Sequence, residues 1–162
     1  MPSIFADGIL KDHVAFVTGG GTGITGGVAR ALAEAGANVA LVSRSMEHLE
    51  AAAKAINDER SAHAVRAGTP ALHGEAFPIA ADVRKPDELE KAIAATLDRF
   101  GKIDIVVNGA AGNFLCKAEE LSANGFGTVV DIDLKGTFNV CRAAFDQLKK
   151  NRGQILNISA TL

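Results

Sequence analysis

Tryptophan and tyrosine are both missing from this 162-residue chain, and eight phenylalanines supply all of its hydrocarbon-ring side chains. Cysteine occurs only at Cys116 and Cys141. Two cysteines without paired spacing exclude a disulfide framework or a cysteine-held metal, and they fit a reduced, intracellular setting. No apolar run approaches the roughly 20 residues of a membrane span, and Met1–Leu10 lacks the basic start and apolar core of a secretory signal. Positive charge is not in excess either: 17 Lys and Arg stand against 19 Asp and Glu, a net charge of −2. That balance gives no electrostatic footprint for nucleic acid or an anionic membrane. Repeats and low-complexity tracts are absent as well. What remains is 48% hydrophobic with 17 glycines, enough for one globular domain over residues 1–162 with a sizeable core.

The glycines cluster most tellingly in Val14 to Gly26, VAFVTGGGTGITG. An apolar run ending at Thr18 reads as a short buried strand. The glycines make a turn, and Val28, Leu32 and Ala35 then recur at helical spacing up to Gly36. Strand, glycine turn and helix place backbone N–H groups and a helix N-terminus against a phosphate. Further strands are predicted at Asn38–Val42, Phe77–Ala80, Ile103–Val107 and Gln154–Ile158. Between them, Ser45–Asp58 is an alanine-rich helix and Pro86 opens another, with Leu89, Ile93 and Leu97 on its apolar stripe. A long helix runs from Asn124 to about Lys150 and ends at Gly153. Strict alternation of apolar strands and helices predicts an α/β fold, a doubly wound parallel sheet covered on both faces in three layers. Glu59–Gly74 fits neither period. It is expected to be a solvated loop at the sheet edge away from the ligand side, and its His63 and His73 read as surface residues rather than metal ligands. No metal site is expected.

The ends of the five strands should share one edge, and their residues carry the candidate chemistry. Gly19, Gly20, Gly21, Thr22, Gly23 and Ile24 would hold a pyrophosphate. The second strand ends in Ser43-Arg44-Ser45, where a fold that prefers NAD usually has a carboxylate. A guanidinium there can pair with the 2′-phosphate of NADPH; the alternative is a surface arginine opening a helix. Asp82, followed by Val83, can accept from an adenine amino group or cap the next helix. Asn108, with Ala110 and Gly112 after it, either lets backbone approach a cofactor or simply makes a tight turn. Asp133 lies mid-helix, where it is either an exposed carboxylate bonded to Thr137 or one that holds a water.

Together these stretches resemble the short-chain dehydrogenase/reductase family. Thr18–Thr25 looks like its cofactor signature TGxxxGxG, with Thr25 in place of the last glycine. Asp82 matches its adenine-contacting aspartate, and Asn108–Gly112 is similar to its NNAG motif with one inserted or altered small residue. The resemblance implies a Rossmann-type fold and an NADP-dependent oxidoreductase. Within the family, Ala110–Leu115, Asp131-Ile132-Asp133, Gly136–Val140 and Asn157–Leu162 are most similar to 2,4-dienoyl-CoA reductases of peroxisomal type. Asp133 stands where carbonyl-reducing members carry asparagine, and Ala160 where they carry a serine. That likeness implies NADPH-dependent reduction of 2,4-dienoyl-CoA to 3-enoyl-CoA in the β-oxidation of unsaturated fatty acids, with Asp133 catalytic. It also implies an acyl-CoA substrate lined by Arg44, Arg84, Phe114, Ser122 and Asn124. A homo-oligomer, dimer or tetramer, through the long helix is expected, in peroxisomes if the source is eukaryotic and the cytoplasm if bacterial.

The family's YxxxK segment follows the fifth strand, and a chain without tyrosine cannot hide it elsewhere. The sequence is therefore expected to be the N-terminal part of a longer protein. Two other functions stay open: a short-chain reductase acting on 3-oxoacyl or enoyl thioesters, or a non-catalytic nucleotide-binding protein were Leu162 the true terminus.

Overall fold

Strand β1 (Val14–Thr18) is buried along its whole length and forms the middle of a five-stranded parallel sheet. In this computed structural model, which describes residue 6, residues 8–67 and residues 73–159, its neighbours are β2 (Asn38–Ser43) and β4 (Ile105–Asn108). Strands β3 (Ala76–Ala80) and β5 (Gln154–Asn157) lie outside them, giving the order β3-β2-β1-β4-β5 with every pair parallel. Residues of β1 alternate between two cores. Ala15 and Val17 pack with Val39, Leu41 and Val107 against helices α1 (Gly23–Glu34) and α2 (Met46–Ala67). Phe16 packs with Val42 and Val106 against α3 (Pro86–Phe100) and α5 (Gly136–Asn151). Three layers result, as the unbroken apolar strands require. No described helix is long and apolar enough to cross a membrane.

Side chains fix the strand ends. The Val14 N–H donates to Asp104 Oδ2 at 2.9 Å, and the Asp104 N–H returns a bond to the Val14 carbonyl, also at 2.9 Å. This exchange starts β4 at Ile105 rather than at Ile103 as predicted, although Ile103 is fully buried. The predicted solvated loop Glu59–Gly74 needs a larger correction, because α2 continues as helix through Ala67. Glu59–Ala67 consists mostly of good helix formers, which carry the helix on after the apolar period of Leu49, Ala53 and Ile56. Arg30 on α1 pairs with Glu59 at 2.7 Å. The expected edge is right: the Gly74 N–H donates to the Ala33 carbonyl, and Glu75 N–H to Asn38 Oδ1, beside the start of β2.

The predicted long helix is present, but not as one α-helix. Helix α4 (Ala123–Val129) passes into a π-helical stretch, Val130–Lys135, before α5. Arg152, not a glycine, takes the left-handed conformation that ends α5, at φ 54°. All of β5 is exposed.

Candidate active site

The carboxyl ends of β1, β2, β3 and β4, with Ile158 just beyond β5, meet at a cleft of about 730 Å³. Its centre is the gap between β1 and β4, where the chain reverses its direction of winding and open α/β sheets bind ligands. Gly19, Gly21, Thr22, Gly23 and Ile24 line it. Gly19 has φ +71°, and a Cβ there would lie 2.5 Å from the Gly109 carbonyl oxygen, so only glycine lets the turns after β1 and β4 meet. Gly20 is the exception among the predicted phosphate glycines. It lies beneath the cleft, where a Cβ would be 3.0 Å from the Val17 carbonyl and 3.1 Å from Leu41. Thr22 caps α1 without a side-chain bond, and the first turn holds no acidic residue. The helix's leading N–H groups and its positive end are thus left to an anion, and these residues fit a dinucleotide pyrophosphate.

Ser43, Arg44 and Ser45 border the same cleft, as do Asp82, Val83 and Ala110. Arg44 is exposed and makes no ion pair among the described residues. Asp82 is 6% exposed and its carboxylate is gripped by Arg84: Nε donates to both oxygens at 3.0 Å, and Nη2 donates to Oδ2. Arg84's hydrogen bonds, and more weakly its charge and that of Arg44, hold the Asp82 carboxyl at about 2 against the cost of burial. The alternative of a helix cap is not realised. Asp82 Oδ1 accepts from the Arg84 N–H at 3.0 Å, while α3 is capped from Lys85 without a side-chain bond. An ionised carboxylate has lone pairs beyond those Arg84 uses, so acceptance from an adenine amino group stays open.

Asn108 does not line the cleft. It is buried, and its amide donates to Asn157 Oδ1 at 2.9 Å and to Cys141 Sγ at 3.3 Å, tying β4 to β5 and α5. Thr18 supports the turn above it by accepting from the N–H groups of Gly109 and Ala110 at 3.2 and 3.3 Å. Gly112 is likewise outside the cleft lining, but its N–H donates to Asp133 Oδ1 at 2.8 Å. Asp133 is therefore docked on the turn after β4 and not bonded through its carboxylate to Thr137, whose hydroxyl donates to the Asp133 main-chain carbonyl. Asp131 does pair with Lys135, at 2.6 Å. The π-helical stretch carries Asp133 at its middle and turns Ile132 into the cleft; such bulges recur at functional sites.

The predicted acyl-CoA residues are not gathered into one pocket. Arg44 lies in the cleft. Arg84 borders a hollow of about 620 Å³ with Asp131, Leu134, Lys135 and Phe138. Phe114 and Ser122 border a third, of about 440 Å³. There Ser122 Oγ accepts from Gly125 N–H as the α4 cap, whereas Asn124 borders none of the three hollows and its carbonyl accepts from the Thr128 hydroxyl. Ala160 lies outside the described residues. Sequence reading missed His48 and Ile132, both of which line the cleft, and gave no separate role to Thr25 and Gly109, which line it too. His48 falls in the first turn of α2, directly after Ser43-Arg44-Ser45, and nothing in its spacing singles it out.

Comparison with known proteins agrees with this geometry. The sequence pattern of the family described as short chain dehydrogenase matches residues 13–162. The peroxisomal 2,4-dienoyl-CoA reductase of Danio rerio is 42% identical over 98% of this chain and 49% of its own length. The corresponding protein of Saccharomyces cerevisiae is 44% identical over 94% of this chain and 49% of its own. The chain thus spans about half the length of the curated relatives it matches. Among solved structures, a citronellol catabolism dehydrogenase of Pseudomonas aeruginosa superposes with a TM-score of 0.80 at 35% identity, covering 99% of this chain and 61% of its own. An alcohol dehydrogenase from Thermococcus sibiricus, complexed with 5-hydroxy-NADP, gives 0.78 at 32% identity over 90% and 57%. The matched family, the parallel sheet and the glycine-lined cleft converge: this chain belongs to the short-chain dehydrogenases.

Proposed function

We propose that the protein built on this chain is an NADPH-dependent reductase of 2,4-dienoyl-CoA thioesters, yielding the 3-enoyl product. The observation that carries this reading is Asp133, an exposed carboxylate docked on the Gly112 N–H, each next in sequence to a residue that lines the cleft, Ile132 and Ala111. By resemblance, carbonyl-reducing members of the family carry asparagine at that place. The relatives named as 2,4-dienoyl-CoA reductases support the same choice.

A reduced nicotinamide, when bound, supplies the hydride. The chain's own groups do the rest. Gly21–Ile24 and the α1 N-terminus bind the pyrophosphate, Arg44 pairs with the 2′-phosphate, and Asp82 orients the adenine. One oxygen of Asp133 is committed to Gly112, and the other has no partner among the described residues. That second oxygen holds the water that gives a proton to the α-carbon of the thioester, and solvent reprotonates the hydroxide left behind. Arg84 spends Nε and Nη2 on Asp82, which leaves Nη1 for a coenzyme A phosphate. Leu134 and Phe138, 68% and 66% exposed along the outer side of the long helix, form the surface for self-association.

The test uses the full-length protein with NADPH and either 2,4-dienoyl-CoA or 3-oxoacyl-CoA. Only the dienoyl thioester should be reduced readily. Asp133→Asn retains an acceptor for Gly112 but loses the charge, and Asp133→Ala loses both. Each should lower turnover by about 10²–10⁴-fold, the usual share of a positioned acid–base group, with NADPH affinity little changed. Ready reduction of 3-oxoacyl-CoA alone, or an Asp133→Ala variant as fast as wild type, would reject the proposal.

A further inference from the structure

Thr25 stands where the family signature has its last glycine, and Gly109 where NNAG has its second asparagine. In the folded chain these two departures touch. A Cβ built on Gly109 would overlap Thr25 Cγ2 and lie 3.1 Å from both Thr25 Cβ and Oγ1, and no other atoms are closer. The overlap is chiefly with Cγ2, and threonine keeps to two common χ1 rotamers in a helix, so Cγ2 has little freedom to swing away. Gly109 is not among the residues with left-handed backbone, so its conformation does not call for glycine. Space does, and the three atoms nearest to that space all belong to Thr25.

Neither partner has room to retreat. Thr25 is 6% exposed, in the first turn of α1. On the far side, Gly109 donates its N–H to Thr18 Oγ1 at 3.2 Å, and its carbonyl oxygen fills the place of a Gly19 side chain. The turn after β4 is thus clamped between β1 and α1. It forms the wall of the cleft opposite Arg44, and at Gly112 it carries the N–H that fixes Asp133.

We propose that Thr25 and Gly109 are a complementary pair of positioning residues, which seat the turn from Gly109 to Gly112 and thereby the nicotinamide half of the cleft. The inference rests on the dinucleotide reading of that cleft. Binding to the full-length protein is measured for NADPH and for adenosine 2′,5′-bisphosphate, which occupies only the half near Arg44. Gly109→Ala should weaken NADPH by roughly ten- to a hundredfold, the range to which overpacking by one methyl group corresponds. The bisphosphate should stay within about twofold of wild type. Adding Thr25→Ala removes the Cγ2 overlap and should return NADPH to within about threefold. Should Gly109→Ala fail to fold, Thr25→Ala alone, which leaves the turn unsupported, should weaken NADPH and spare the bisphosphate. Equal losses for both ligands, or no recovery in the double variant, would overturn the proposal. A wild type that binds neither ligand would instead overturn the dinucleotide reading, and the pair's ligand role with it.

Discussion

Asp82 and Arg84 show how one side chain can serve stability and site geometry together. Arg84 holds the buried Asp82 carboxyl at about 2, below its ordinary 3.8. A carboxyl depressed in the folded state stabilises the protein at pH values above its unfolded pKa, and that contribution is lost as pH falls through the folded value. Arg84 is part-exposed, which screens the interaction, so its removal should lower stability only modestly near neutral pH. Urea unfolding of wild type and Arg84→Gln should show that gap narrowing below about pH 4 and closing near pH 2. A gap that does not change with pH would mean that the pair contributes packing and not charge. The sequence placed Asp82 at the strand end and left its partner undecided. Choosing between helix cap and site acceptor required seeing that Arg84, two residues on, folds back onto it. Arg44 lies in the cleft lining, as its place at the end of β2 implies, and makes no ion pair among the described residues.

Elements were legible wherever an apolar stripe marked them, and their ends were less so. The extension of α2 to Ala67 carries no apolar stripe, because Glu59, Arg60 and Ser61 interrupt the period after Ile56. The π-helical stretch was equally hidden. Val130, Leu134 and Phe138 keep a helical spacing, and only the closure of hydrogen bonds distinguishes the two helix types. What secures α2 is a polar contact that composition does not advertise. The Asn57 amide brackets the start of β3, donating to the Ala76 carbonyl and accepting from its N–H, both at 2.9 Å. Asn57→Ala should destabilise by about 1–3 kcal/mol, because two part-buried backbone groups lose their partner. Glu59→Ala removes only the exposed pair with Arg30, worth at most about 1 kcal/mol. Equilibrium denaturation compares them directly, and a Glu59→Ala cost equal to that of Asn57→Ala would place the weight of α2's attachment on its solvated end.

At the scale of the molecule, the cleft follows from connectivity. Right-handed crossovers from β1 outward on one side, then back past β1 on the other, leave the gap between β1 and β4 at the carboxyl edge. That much was readable from five apolar runs and the residues at their ends. The closeness of Thr25 and Gly109 was not, since it depends on how far two turns and a helix interpenetrate. The global consequence of the cleft's charge can be measured through linkage. A ligand that binds only the folded state raises stability by RT ln(1 + [L]/Kd), about 2.7 kcal/mol at a hundredfold excess over Kd. If Arg44 contributes the 1.5–3 kcal/mol typical of a hydrogen bond to a charged group, NADH at the same concentration should bind roughly tenfold or more weakly and stabilise by at most about 1.4 kcal/mol. At about 2–4 °C per kcal/mol, thermal unfolding of the full-length protein should separate the two cofactors by several degrees. Arg44→Ala should bring their midpoints together by lowering the NADPH shift and leaving the NADH shift in place. Added salt should do the same in part, since the cleft's Arg44 corner is exposed to solvent and its attraction is screened. Identical shifts for both cofactors in the wild type would remove the 2′-phosphate from the reading of this site and leave Arg44 a solvated arginine at the head of α2.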